Sequence, residues 1–577
     1  MRYIIKIIKP YWRKLSVSLT FKSFGALADL VLPWIIAYML DTQIPAISDS
    51  SPSLWPLYQS GILMILVAIL GVYFNISANR KAERIAADAV KLLRHDLFAK
   101  IESLSARQVD QLTRPSLISR MTTDTYNMYT ASAGMQRLGV RAPVLLIGGI
   151  VMSLFLDPIM TLVMVATLPL IAIIVYTTSK VGIPLYKKTQ KAVDRLIRTL
   201  REYITGARVV RALSMRTYEE NRFETYNNET VNAELKATIT MARINPLMRV
   251  VMNVGLVFVL VTGAYRISGM QAETGELLAF VTYFTIILNA MMGITRVFVI
   301  ASRASASGER IYEVIDMPTD LSEGHDDIII DQRLPHIKFN DVSFSYLQNK
   351  ANLEHVNFEI KKGQTLGIIG ATGSGKTTII NLLMRFYDVD NGAIEIYGKN
   401  IKDLKQNALR SSIGVVFQND LIFADSIFGN IQFNRQLISN EEIEEATRIA
   451  QADFVYEKDA DFDYQMAQKG MNLSGGQKQR VLIARAVAGK PDIIVLDDAS
   501  SALDYETDMS MRQALKKMLK DTTKIVIAQR ISSLKDSDLI LLVDEGKIIA
   551  QGTHDELMHT SKMYQEIAYY QLGGEAS

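Results

Sequence analysis

The N-terminal half of this 577-residue chain contains long runs without a charged side chain. Residues 50–79 hold no Asp, Glu, Lys or Arg, and neither do 158–179 and 277–295. A helix rises about 1.5 Å per residue, so about 20 apolar residues cross the hydrocarbon core of a bilayer. Residues 250–265 and 143–156 are shorter, but flanking polar side chains can snorkel and complete a span. A sixth segment, about 15–40, carries Lys22 and Asp29. Ionisable groups are costly in lipid, so these two should face a cavity or a partner. They share a helix face but lie about two turns apart, too far for simple pairing. Six such segments argue for a membrane domain over 1–303 and against a soluble helical core. The expected spans are about 15–40, 55–79, 134–157, 158–180, 243–267 and 275–303.

Basic residues orient these spans. The opening MRYIIKIIKPYWRKL is amphipathic and carries five Lys or Arg, which suits the inner membrane face; it lacks a signal-peptide cleavage site. The connection at about 41–54 has no Lys or Arg, whereas 80–133 and 180–243 are rich in both and helical in pattern. Both long stretches and both termini are therefore expected in the cytoplasm, with the chain multi-pass in the cell membrane. A net charge of +3 gives no sign of nucleic-acid binding. The absence of cysteine excludes disulfides, thiolate zinc sites and iron–sulfur clusters. The histidines at 95, 325, 336, 355, 554 and 559 lack metal-ligand spacing.

After Ala304 the composition changes. Residues 304–335 are acidic without a long apolar run and read as a linker. From His336 short apolar strands alternate with amphipathic helices, the pattern of an α/β domain over 336–577. Within it, LGIIGATGSGKTTII (366–380) is a strand, a glycine-rich loop and a helix start. Gly370, Gly375, Lys376 and Thr377 satisfy the G-x-x-x-x-G-K-[ST] pattern of a P-loop. Such a loop turns its backbone N–H groups around phosphates, with the Lys on the β- and γ-phosphates and the Thr hydroxyl on Mg²⁺. Thr372, Gly373, Ser374 and Thr378 complete the expected ATP cradle. IIVLDDASSALD (493–504) is an apolar strand ending in Asp497, placed to hold Mg²⁺, followed by Asp498.

LSGGQ at 473–477 lies between the P-loop and that strand. It resembles the signature of ATP-binding cassette (ABC) proteins, and over its full length the chain resembles a bacterial ABC exporter half-transporter. The resemblance implies an all-α six-helix transmembrane domain of exporter type, with long cytoplasmic extensions, fused to an α/β P-loop nucleotide-binding domain. It implies that Ser474, Gly475, Gly476 and Gln477 close on ATP held by the other subunit's P-loop. Tyr346 resembles the aromatic that stacks on adenine, and Gln418 the glutamine that touches Mg²⁺ and senses the γ-phosphate. Asp504, in SALD (501–504), resembles the acid linking the two ATP sites. TGARVVRALSMRTYEENRF (205–223) resembles a coupling helix that docks on a nucleotide domain.

Two positions depart from the family pattern. Asp498 stands where the family has a catalytic Glu, and Gln529 where it has a His that contacts the γ-phosphate. A third, Gln468, stands where Glu is common. A carboxylate one methylene shorter is drawn back from the attacking water, and positioned acid–base groups contribute roughly 10²–10⁴-fold. With P-loop and LSGGQ intact, this points to the degenerate-site subunit of a heterodimeric multidrug exporter, whose partner half-transporter supplies Glu and His. Met248, Met252, Met291, Met292, Phe280, Tyr283 and Phe284 could line a pocket for amphipathic small molecules or simply pack between helices. A homodimeric lipid or peptide exporter with slow ATP sites, and a regulatory ATP-binding membrane subunit, stay open.

Overall fold

The computed structural model describes residues 2–49, 54–346, 351–435, 437–459 and 461–572. The chain separates into two compact units, Met1–Ile101 with Pro115–Met317 and Glu102–Arg114 with Pro318–Ser577.

Among the described residues, six helical stretches are long and apolar enough to cross a membrane: Arg2–Ala46, Trp55–Glu102, Arg114–Leu156, Pro158–Ala212, Arg216–Ser268 and Thr274–Ile315. Helices meet the demand that every backbone polar group in lipid be satisfied within the segment. Pro158–Ala212, at 55 residues, outruns any bilayer. One residue separates the third and fourth stretches. Asp157, extended at φ −150°, accepts hydrogen bonds from the N–H groups of Ile159 and Met160 at 2.7 and 2.9 Å, with Pro158 opening the new helix. Arg266 pairs with the same carboxylate at 2.7 Å.

The charged residues of the first span have partners on other helices. Lys22 is buried and donates to Asn75 Oδ1 and Asn79 Oδ1, each at 3.0 Å. Arg141 donates to Asp29 at 2.9 Å. Gly25 lets the helices approach here, since a Cβ at that position would meet Asn75 at 2.8 Å. Met248, Phe280 and Phe284 are buried in one apolar cluster with Met252 and Met291 packed against it, and Tyr283 is buried in another. These side chains fill helix interfaces, while Met292 is exposed.

Two stretches differ from the expectation. The last helix of the first unit, Thr274–Ile315, continues through residues assigned to a linker from 304. Ala304, Ile311 and Val314 are buried, and the charges that made the stretch look loop-like are paired: Arg310 with Asp124, and Glu313 with Arg120 at 2.7 Å. Residues 205–223 are not one helix. They are the tip of a hairpin in which Pro158–Ala212 and Arg216–Ala242 meet at a turn with Ser214 in the left-handed region, φ 55°.

The described residues of the second unit form two sheets. β1 (Ile337–Phe344), β2 (Leu353–Ile360), β4 (Asn391–Ile396) and β5 (Lys399–Asn400) form an antiparallel sheet in the order β2-β1-β4-β5. The other runs β10-β9-β3-β8-β7-β6, with β3 (Thr365–Gly370), β6 (Ile413–Val416), β7 (Ile493–Asp497), β8 (Thr523–Ile527) and β9 (Leu539–Asp544) parallel and β10 (Lys547–Gly552) antiparallel. β7 is buried along its whole length, as a parallel strand covered on both faces must be. Residues 102–114 belong to this unit. The helix Ala106–Leu112 is capped by Ser105, whose hydroxyl also donates to Asp320 at 2.8 Å; Gln108 donates to the Pro318 carbonyl at 2.7 Å.

Candidate functional site

In a parallel sheet the groups just beyond the carboxyl ends of adjacent strands converge, which is where α/β proteins bind ligands. Here four neighbouring strands each deliver a residue. β3 leads into the P-loop, β8 into Gln529, β7 into Asp497 and Asp498, and β6 into Gln418. They line a pocket of about 270 Å³ together with Thr372, Gly373, Gly375, Lys376, Thr377 and Thr378.

The P-loop is shaped by its backbone. Gly373 and Gly375 adopt φ 85° and 106°, and the helix Lys376–Leu383 starts directly after them. The Lys376 ammonium folds over the loop, donating to the carbonyls of Gly370 at 2.9 Å and Ala371 at 2.6 Å. Burial pulls its pKa down, against the pull of Asp497 and Asp498. Thr377 Oγ1 donates to Asp497 Oδ2 at 2.9 Å. Asp497 is 2 % exposed, and burial pushes its carboxyl up although the Thr377 bond opposes this. Ser374 is buried beneath the loop, its carbonyl accepting from Gly546 N–H at 3.0 Å.

Asp498 stands in the left-handed region at φ 53°. Its carboxyl is raised by burial and lowered by a hydrogen bond from Gln418 and by Lys376. Gln529 Nε2 donates to Asp498 Oδ2 at 3.4 Å. Tyr346 is half-buried beside the P-loop helix: its hydroxyl lies 3.4 Å from Thr378 Oγ1 and accepts from Asn381 at 3.1 Å, and its ring meets Tyr387 edge-on at 5.0 Å.

The LSGGQ residues lie elsewhere. Among the described residues that line the pocket, none comes from 474–477. Ser474 caps the helix Gly475–Val487 in a reciprocal box, accepting from Gln477 N–H at 3.2 Å while Gln477 Oε1 accepts from Ser474 N–H at 3.0 Å. A Cβ on Gly476 would stand 3.1 Å from the Ala502 carbonyl, so the helix start packs closely on the 501–504 loop. Asp504 caps the next helix, Tyr505–Met518, accepting from Thr507 N–H at 2.9 Å and from its hydroxyl at 2.8 Å. These hydrogen bonds hold its carboxyl below the ordinary range.

Some neighbours escape a sequence reading. Asn352 lines the pocket, and Gln479 ties the signature helix to the 501–504 loop by donating to Ser501 at 3.0 Å and accepting from Ala502 N–H at 2.9 Å. A motif signal existed for Gln479, two residues beyond LSGGQ; none existed for Asn352.

Two family models match. "ABC transporter transmembrane region" covers residues 15–291 and "ABC transporter" covers 353–501. An uncharacterized ABC transporter ATP-binding protein of Mycobacterium bovis is 32% identical over 97% of this chain and 96% of its own length. The uncharacterized ABC transporter ATP-binding protein YfiB of Bacillus subtilis is 31% identical over 100% of both chains. Among solved structures, a bacterial Atm1-family ABC exporter with ATP bound superimposes with a TM-score of 0.82 over 98% of this chain and 99% of that one, at 24% identity. That similarity establishes a shared fold.

Proposed function

The chain belongs to the ABC transporter family, and from that premise we propose that it is one subunit of a heterodimeric exporter driven by ATP. It joins a membrane region to an ATP-binding domain, the pairing by which this family couples ATP hydrolysis to transport. In this reading it works in a membrane, paired with a second half-transporter. The finer assignment is that this chain contributes the P-loop side of a weak ATP site and the LSGGQ side of a hydrolytic one.

The observation that carries the assignment is the composition of the pocket. Lys376, Thr377 and Asp497 keep the phosphate-holding chemistry, while Asp498 and Gln529 occupy the positions that would handle water and the γ-phosphate. Asp498 is short for a general base, and Gln529 offers an amide where the family has an imidazole. Ser474, Gly475, Gly476 and Gln477 present a helix N-terminus with the polarity a phosphate favours, outside their own chain's pocket.

Thr377 and Asp497 place two hard oxygen donors 2.9 Å apart with Gln418 close by, a set that suits Mg²⁺. Thr377, Asp497 and Gln418 would hold the ion, which when bound offsets phosphate charge. Lys376 neutralises the β- and γ-phosphates, and Tyr346 receives the adenine ring. The cargo is proposed to be an amphipathic small molecule, moved outward across the cytoplasmic membrane with both termini in the cytoplasm.

The test is to purify this chain without a partner, in nanodiscs, and measure ATP binding and turnover. Binding that depends on Lys376 with little hydrolysis is expected. Rapid, Lys376-dependent hydrolysis by the isolated chain would overturn the heterodimer assignment.

A further inference from the structure

The helix Lys562–Leu572 ends against the loop that carries Gln529. Gln571 makes two hydrogen bonds to the backbone of that loop. Its Nε2 donates to the Gln529 carbonyl at 2.7 Å, and its Oε1 accepts from Ile531 N–H at 2.8 Å. Both backbone groups lie just beyond the end of β8, where the ladder has stopped. A primary amide carries one acceptor and donors on a single planar group, so Gln571 substitutes for a neighbouring strand.

The helix is itself well anchored. Tyr564 and Ala568 share a face with Gln571 and are 0% and 1% exposed. They pack in one cluster with Ala528, Ile531 and Leu534, which flank the loop. His554 Nδ1 lies 2.9 Å from the Tyr564 hydroxyl. On the pocket side, the Gln529 side chain reaches Asp498. A continuous set of contacts thus runs from the C-terminal helix through the backbone at 529–531 into the pocket.

We propose that Gln571 is a positioning residue: it fixes the aim of the residue-529 side chain, and through it the preference of this site for ATP over ADP. The proposal deepens the function given above and rests on residue 529 facing the terminal phosphate. Without the amide, two backbone groups turn to water and the loop gains freedom. A contact to the γ-phosphate then weakens, whereas ADP has no such phosphate and is indifferent.

The experiment measures ATP and ADP affinity by competition against a fluorescent ATP analogue, using the full chain in nanodiscs. Gln571→Leu keeps an apolar stem of similar bulk and removes both hydrogen bonds. Gln571→Glu keeps the acceptor for Ile531 but sets a carboxylate against the Gln529 carbonyl. Both should lower ATP affinity roughly tenfold, the scale of one or two hydrogen bonds, and leave ADP affinity within about twofold. Equal losses for both nucleotides, or no loss for either, would reduce Gln571 to a packing residue and overturn the proposal. Gln529→Ala separates the two ideas. If it leaves the ATP-to-ADP ratio unchanged, the role given to residue 529 fails. If it shifts the ratio while Gln571→Leu does not, only the role of Gln571 fails.

Discussion

Gln529 donates to Asp498 across 3.4 Å, so two of the three residues read as departures from the ABC pattern meet in one pocket. Repairing one of them leaves the other in place. Asp498→Glu alone, in the co-expressed pair, is expected to raise ATP turnover by no more than about twofold, because catalytic groups that act as a unit are not additive. The check is steady-state phosphate release. A much larger gain would mean that chain length at 498 is the sole defect.

Lys376 bonds to the carbonyls of its own loop, and under the proposed function those bonds would be exchanged for phosphate oxygens on ATP binding. Lys376→Ala should therefore weaken ATP binding roughly 10–100-fold, the range for losing charge-assisted hydrogen bonds. Chelating Mg²⁺ should weaken ATP binding by the wild-type chain more than by Thr377→Val, whose metal-side hydroxyl is already gone. Fluorescent ATP titration with and without EDTA measures both effects.

His336 supplies a pH dependence. Its ring is buried, stacks on Tyr397 at 4.5 Å and lies 2.6 Å from Thr523 Oγ1. Burial lowers its pKa from 6.5 to about 4. Below pH 6.5 the unfolded chain takes up a proton that the folded ring refuses until about pH 4, so stability present above 6.5 is lost as pH falls through that window. His336→Asn should remove a difference on the order of 2–3 kcal/mol between neutral and acid pH. Thermal unfolding of both proteins from pH 7 downward gives the comparison; parallel curves would contradict it.

Much of this was legible in the sequence because it depends on local chemistry. A P-loop needs glycines at fixed steps, and Gly373 and Gly375 adopt the positive φ that such a loop demands. The uncharged runs became helices because lipid allows few alternatives. What escaped depends on tertiary partners. Glu309, Arg310 and Glu313 gave 304–315 the look of a linker, but Arg310 and Glu313 are paired with Asp124 and Arg120 far away in sequence. Lys22 gave no hint that Asn75 and Asn79 would hold it. The turn at Ser214 has no glycine to announce its left-handed backbone. Residues 102–114 lacked any mark of their place beside Tyr387.

That place yields a prediction. Tyr387 O–H donates to Asp110 Oδ2 at 2.9 Å, and burial and this bond together push the phenol above its ordinary range. The bond anchors the helix Ala106–Leu112 to the strand–helix core around the P-loop within the second unit. Tyr387→Phe keeps the ring contact with Tyr346 and loses only the hydrogen bond. ATP affinity should stay within about twofold, while dye efflux per ATP hydrolysed falls, a cost of roughly 1–2 kcal/mol at the contact. Vesicles that report efflux and phosphate release together distinguish this from general damage, in which both rates fall in step.

The division of labour between two ATP sites is tested most directly by comparing Ser474→Arg with Asp498→Asn in the co-expressed pair, reading ATPase rate and dye efflux. Ser474 heads the helix Gly475–Val487 and in the proposed dimer would face the partner's P-loop, so Arg there should abolish both activities. Asp498 belongs to the pocket whose described lining includes no Glu or His, so under the proposed division Asn there should leave most of the turnover intact. Equal damage from the two substitutions would show that the pocket at Asp498 hydrolyses ATP, and would contradict the account.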